Sequence, residues 1–260
     1  DPADPSRYVL GIQREALGRG GSALLHRVFH PGRRVFITPP VNHFPLDDSA
    51  PLTLLIGGGI GITPMLTMAH RLHTLGRDFR LHYLARGTAP FAAEIAAAPW
   101  AGQAQTHLKT TGPRTDMAAL IPPYQPGARL YTCGGAGFMD AVFATAQAQG
   151  WPEDALAREY FATPEAPEYV NHPFTLHLAR SGRDIAVPAD LSGTEALAAA
   201  GLVIATKCSD GICGVCAVAH QSPDGIEHRD YVLSAKERTG KIILCCSRAR
   251  EPGGRITLDL

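Results

Sequence analysis

The sequence predicts a multidomain fold: the closing part of an antiparallel β domain, then an α/β domain of the Rossmann-like kind, then a small α+β domain holding a metal centre. Three observations predict it. Two strand-like runs, at 52–56 and 128–132, each end in a glycine turn and pass straight into a helix-patterned segment. A proline-rich stretch at 162–173 separates them from the rest of the chain. There, Cys208, Cys213 and Cys216 stand in a CxxxxCxxC spacing, and Cys245 follows downstream.

Composition narrows the functional classes. With 260 residues, 45% of them hydrophobic, each domain can bury a core. Lys plus Arg and Asp plus Glu balance at 24 each, so net charge gives no case for a nucleic acid or a membrane surface as partner. No apolar run approaches the length of a bilayer span. Thiols spaced for metal rather than for pairing imply a reducing compartment, most simply the cytoplasm.

Residues 1–48 read as the end of an all-β domain, with strands at 7–13 and 35–38 and a break at Pro39-Pro40. Two or three strands make no stable barrel alone, so the beginning of this domain is expected to precede Asp1, the chain being a piece of a longer polypeptide. Between the strands, Gly18-Arg19-Gly20-Gly21-Ser22 leads into a short segment with helical character. Such a turn either aims backbone N–H groups and a hydroxyl at a phosphate or is a plain surface loop.

The run at 52–56 is a buried strand, and Gly57-Gly58-Gly59-Ile60-Gly61-Ile62-Thr63-Pro64 follows at once. Pro64 suits a first helical turn, and Met65, Met68, Ala69 and Leu72 recur at helical spacing. Ile62 stands where a GxGxxG fingerprint has its third glycine, so the inference rests on the strand–turn–helix context. Residues 81–86 supply another strand and 91–98 a short helix. The second strand, 128–132, leads through Cys133-Gly134-Gly135 to a helix marked by Met139, Val142, Phe143 and Ala146. Two glycine turns at strand carboxyl ends belong where an open parallel sheet binds a nucleotide. Cys133, beside one of them, either contacts a cofactor or fills the core.

In the last domain, Phe174, Leu176 and Leu178 alternate, Ser181-Gly182 turns, and Ile185 and Val187 alternate again, which makes a hairpin. Ser192-Gly193-Thr194-Glu195 is a capping box for a helix ending near Gly201. Strands are expected at 215–219 and 255–260, and Cys245 is expected within a strand-like run from Lys241.

The cysteine spacing is the plant-type [2Fe-2S] signature: two irons need four thiolates, three from a tight loop and one from a distant segment. Gly211 and Gly214 let the loop backbone approach the sulfurs and point N–H groups at them. A zinc site of four cysteines usually shows two CxxC knuckles and only one is present; adjacent Cys245 and Cys246 argue against a disulfide framework. Cys245 and Cys246 are neighbours that point to opposite faces on a strand, so only one can serve; Cys245 is taken as the fourth ligand and Cys246 as a buried spare thiol.

With these residues in view, the chain resembles the phthalate dioxygenase reductase family along its whole length. The resemblance is carried by GRGGS ending at Ser22, GGGIGITPML from Gly57, CGGAGFMD from Cys133, HRDYVL from His228 and CCSRAR from Cys245. It implies a remnant of an antiparallel β-barrel flavin domain at 1–48, a NAD(P)H-binding domain at 49–161, a linker at 162–173 and a β-grasp [2Fe-2S] ferredoxin domain at 174–260. By position, Gly20, Gly21 and Ser22 would hold the FMN phosphate. Gly58, Gly59, Gly61 and Thr63 would line the nicotinamide–flavin cleft, Cys133 and Gly134 would lie near the nicotinamide, and Phe161 would cover the flavin. Thr63, Cys133 and Phe161 are thus the residues expected at the reacting rings.

The arginine-x-tyrosine-serine flavin motif of the family is not among these residues, and the loop after Arg86 carries no acidic residue for the adenosine ribose. NADH follows from the resemblance, while Arg86 leaves NADPH open. The implied activity is that of a reductase component of a Rieske-type mono- or dioxygenase or O-demethylase, taking electrons from NADH through FMN to the cluster and on to the oxygenase. Plant-type clusters near about −400 mV feed Rieske centres at roughly −150 mV or above. A gap of ~250 mV is worth about 6 kcal/mol per electron, so delivery is downhill. The alternative is a stand-alone [2Fe-2S] carrier or redox sensor without a working flavin site.

Overall fold

The computed structural model describes residues 6–15, 20–37, 39–40, 42–111, 115–163 and 169–260. Gly18 and Arg19 of the first glycine turn, Thr38 of the second expected strand and residues 164–168 of the linker lie outside them. Two compact units divide the chain, Asp1–Glu159 and Tyr160–Leu260.

In the first unit, helix α1 (Gly21–Val28) follows the GRGGS turn. Of the strands expected at 7–13 and 35–38, the described residues 7–13 and 35–37 join no ladder. Their β-branched and aromatic residues suit a pleated surface, yet a strand needs a neighbour for its backbone groups. Without one the side chains stay in solvent, Phe36 at 93% exposure.

The rest of this unit is a doubly wound sheet. In chain order come β1 (Thr53–Gly58), α2 (Ile62–Thr74), β2 (Phe79–Arg86), α3 (Ala92–Ala97), β3 (Ala104–Lys109), α4 (Met117–Leu120), β4 (Arg129–Cys133), α5 (Ala136–Ala148) and β5 (Leu156–Glu159). All pairings are parallel and the strand order is β3-β2-β1-β4-β5. β1 is the central strand, covered on both faces, and its run of buried residues shows it. Ile62, Met65, Leu72 and Trp100 fill one layer; Ile56, Leu130, Val142 and Trp151 fill the other. The order reverses between β1 and β4, where both glycine turns meet.

The second unit is built on β6 (Phe174–Leu178), β7 (Arg183–Val187), α6 (Gly193–Ala199), β8 (Ala217–Ala219), β9 (Ile226–Glu227), α7 (Ala235–Arg238), β10 (Lys241–Ile243), β11 (Arg248–Ala249) and β12 (Arg255–Leu258). β6 lies between antiparallel β7 and parallel β12, while β8 pairs β10 and β9 pairs β11. Helix α6 lays Ala196 and Leu197 on this sheet, and Ser192 with Glu195 forms the expected capping box. The chain entering β6 is tied down: Arg229 donates to Asn171 Oδ1 at 2.6 Å, and Arg248 to the His172 carbonyl at 3.0 Å.

Candidate metal centre and nucleotide-binding turn

The cluster loop bends through three left-handed positions, Ser209 (φ 60°), Gly211 (φ 73°) and Gly214 (φ 71°). Successive turns of this hand make a concave nest of N–H groups. Asp210 N–H donates to Cys208 Sγ at 3.4 Å, and the N–H of Val215 donates to the Cys213 thiol. Gly211 has a second reason to be glycine: a Cβ there would stand 2.7 Å from Cys246 Sγ.

The fourth cysteine does not sit on a strand as expected. β10 stops at Ile243, and Leu244, Cys245 and Cys246 form a turn in which Ser247 N–H donates to the Ile243 carbonyl at 3.0 Å. Opposite facing along a strand therefore does not distinguish Cys245 from Cys246. The thiols meet in two pairs, Cys208 with Cys213 and Cys216 with Cys245, each within hydrogen-bonding reach. The Cys216 thiol is pushed up, first by its bond with Cys245 and then by burial. Cys246 is half-buried rather than buried and neighbours Cys245.

All six cysteines are free thiols. Among the described residues no three ligand side chains converge as around a single ion. Two pairs of thiols with N–H donors around them suit two bridged irons, so the donor set fits a [2Fe-2S] cluster.

At the switch point of the sheet, Gly59–Gly61 form a single tight turn before α2. Gly61 is required by close approach, since a Cβ on it would lie 2.2 Å from the Cys133 carbonyl oxygen. Gly58 and Gly134 lie against the Phe138 ring. Neither α2 nor α5 carries a side-chain cap, so no side chain competes with an anion for the N–H groups at either helix start. Thr63 donates its hydroxyl to the Ile60 carbonyl at 3.0 Å and touches Gly11 with its methyl.

Cys133 ends β4 opposite Gly57 and is fully buried; burial first, then Glu159, pushes its thiol up to about 12. Phe161 is 48% exposed. Gly20 has φ 88° just before α1, and among the described residues nothing crowds Gly20 or Gly21 and no side chain caps the helix. The Ser22 hydroxyl accepts from Glu15 N–H at 3.0 Å. This open helix start fits a phosphate.

A parallel sheet with an anion cradle at its switch point, joined in one chain to a four-thiol centre, defines an iron–sulfur oxidoreductase served by a nucleotide. Residues 176–250 match the family model of the 2Fe-2S iron-sulfur cluster binding domain. The chain is 38% identical to the reductase subunit of tert-butanol monooxygenase / tert-amyl alcohol desaturase from Aquincola tertiaricarbonis, covering 100% of this chain and 80% of that one. It is 38% identical to vanillate O-demethylase oxidoreductase from Pseudomonas sp. (strain HR199 / DSM 7063), covering 100% and 83%. Among solved structures it matches phthalate dioxygenase reductase, described as modular for electron transfer from pyridine nucleotides to [2Fe-2S], with TM-score 0.61, 36% identity and coverage of 96% and 78%.

The chain belongs to the phthalate dioxygenase reductase family. It is the reductase component of an oxygenase system. No helix among the described residues is long and apolar enough to cross a membrane.

Proposed function

We propose that this chain takes electrons from NADH and delivers them, through FMN and its [2Fe-2S] cluster, to a Rieske-type mono- or dioxygenase or O-demethylase in the cytoplasm. The observation that carries the reading is the convergence of Cys208, Cys213, Cys216 and Cys245 in two pairs, in the same chain as an open nucleotide cradle. When bound, flavin and cluster together supply the conversion from electron pairs to single electrons.

The chain's own residues hold and shield these groups. Cys208 and Cys213 would ligate one iron and Cys216 and Cys245 the other, under the N–H groups of the loop. Gly58, Gly59, Gly61 and Thr63 would receive the nucleotide at the start of α2, with Gly134 at the start of α5 and Arg86 towards the adenosine. Gly20, Gly21 and Ser22 would receive the flavin phosphate at the start of α1. Buried and held protonated at neutral pH, Cys133 would shape the floor under the nicotinamide without acting as a base. Phe161 would lie on the flavin. The domain limits follow as 1–48, 49–161, 162–173 and 174–260.

The test is an anaerobic visible and EPR spectrum before and after adding NADH with FMN present. The expected result is a rhombic [2Fe-2S] signal produced by NADH. A signal with dithionite but not with NADH favours the stand-alone carrier instead, and no signal with either reductant overturns the cluster.

A further inference from the structure

We propose that the cavity at the carboxyl ends of β2 and β3 is a subsite for the 2′-phosphate of an adenosine nucleotide, so that the chain takes NADPH as well as NADH. The inference rests on the nucleotide reading of the first unit. The cavity has a volume of about 270 Å³ and is lined by Arg86, Gly87, Lys109 and Thr110.

Its place in the sheet gives it meaning. β2 neighbours β1, whose glycine turn starts the cradle, and in a sheet of this order the residue ending the second strand reads the adenosine ribose. A carboxylate there accepts from the 2′-hydroxyl and repels a 2′-phosphate, whereas an arginine attracts that phosphate. Arg86 holds this position, and among the described residues no carboxylate lines the cavity.

The geometry supplies a second cation. Arg86 and Lys109 are register partners at the ends of parallel neighbours, so their side chains leave the sheet on the same face. Gly87 N–H donates to the Lys109 carbonyl at 2.9 Å, and its left-handed turn (φ 69°) carries the chain away. Neither cation is paired with a carboxylate among the described residues. A phosphate monoester carries about −1.5 to −2 charges near neutral pH, which a guanidinium fork, an ammonium and the Thr110 hydroxyl suit.

The test uses ligands that need neither flavin nor cluster. Titration calorimetry of the full chain compares 5′-AMP, 2′,5′-ADP and 3′,5′-ADP, the last as a control for added charge at the wrong hydroxyl. The expected result is 2′,5′-ADP binding about 10- to 100-fold tighter than the other two, as a charge-assisted contact gives. Arg86→Ala should erase that preference, and Lys109→Ala should weaken it. Equal binding of the three ligands, or a preference that survives Arg86→Ala, overturns the proposal. If none of the three binds, the nucleotide reading of the whole unit fails, a result distinct from loss of discrimination alone.

Discussion

Gly61 and Gly137 respond oppositely to one added methyl group. A Cβ on Gly61 meets backbone, the Cys133 carbonyl at 2.2 Å, and nothing flexible can yield. Gly61→Ala is therefore expected to cost about 1–3 kcal/mol in urea unfolding and to disrupt the start of α2. Gly137, inside α5, has nothing within 4 Å of its Cβ position, so Gly137→Ala should stabilise by about 0.5–1 kcal/mol in the same assay. The thiols make a parallel contrast. Cys245→Ser should abolish the iron content and visible absorbance of the purified protein, and Cys246→Ser should leave both in place. The cluster domain was legible from the CxxxxCxxC spacing, because a cluster held by a tight loop fixes the distances between its thiols. The Ser209 turn was not, because a residue other than glycine gives no sign of a left-handed backbone.

At the scale of elements, sequence showed what was strongly patterned and missed what was short or polar. β1, β2, β4, α2 and α5 stood out through apolar runs and helical spacing, and the box at Ser192 through residue chemistry. β3 is mostly polar (AQTHLK) and β5 has four residues (LARE), so neither carries a period that marks a strand. The segments at 7–13 and 35–38 show the converse, residues suited to strands whose formation depends on a neighbour. Ser192→Ala should cost about 1 kcal/mol of thermal or urea stability by freeing the first turn of α6. A pH effect belongs to β2 and β3. His82 Nδ1 lies 3.1 Å from His107 Nε2, and burial first, then His107 and Arg80, pushes His82 down to about 4. The folded unit thus resists a proton that the unfolded chain accepts near 6.5. This contribution is complete above pH 6.5 and is lost as pH falls through about 4. In urea unfolding followed between pH 7 and 4.5, His82→Gln should flatten the decline in stability.

The molecule as a whole holds two cores, one around the parallel sheet and one around β6. Cys208→Ala should accordingly remove the cluster's absorbance and leave 5′-AMP binding within about twofold, as expected for sites with no shared partner. Loss of both together would contradict separate units. The pairing of β12 with β6 has one more consequence, for biosynthesis. The strand at the centre of the second sheet leaves the ribosome early, yet its parallel neighbour is Arg255–Leu258. Such distant pairing is slow, and it cannot begin until those residues have been made. The second unit must then complete its sheet only after nearly all of that unit has been translated, so the sheet closes late in the making of its own domain.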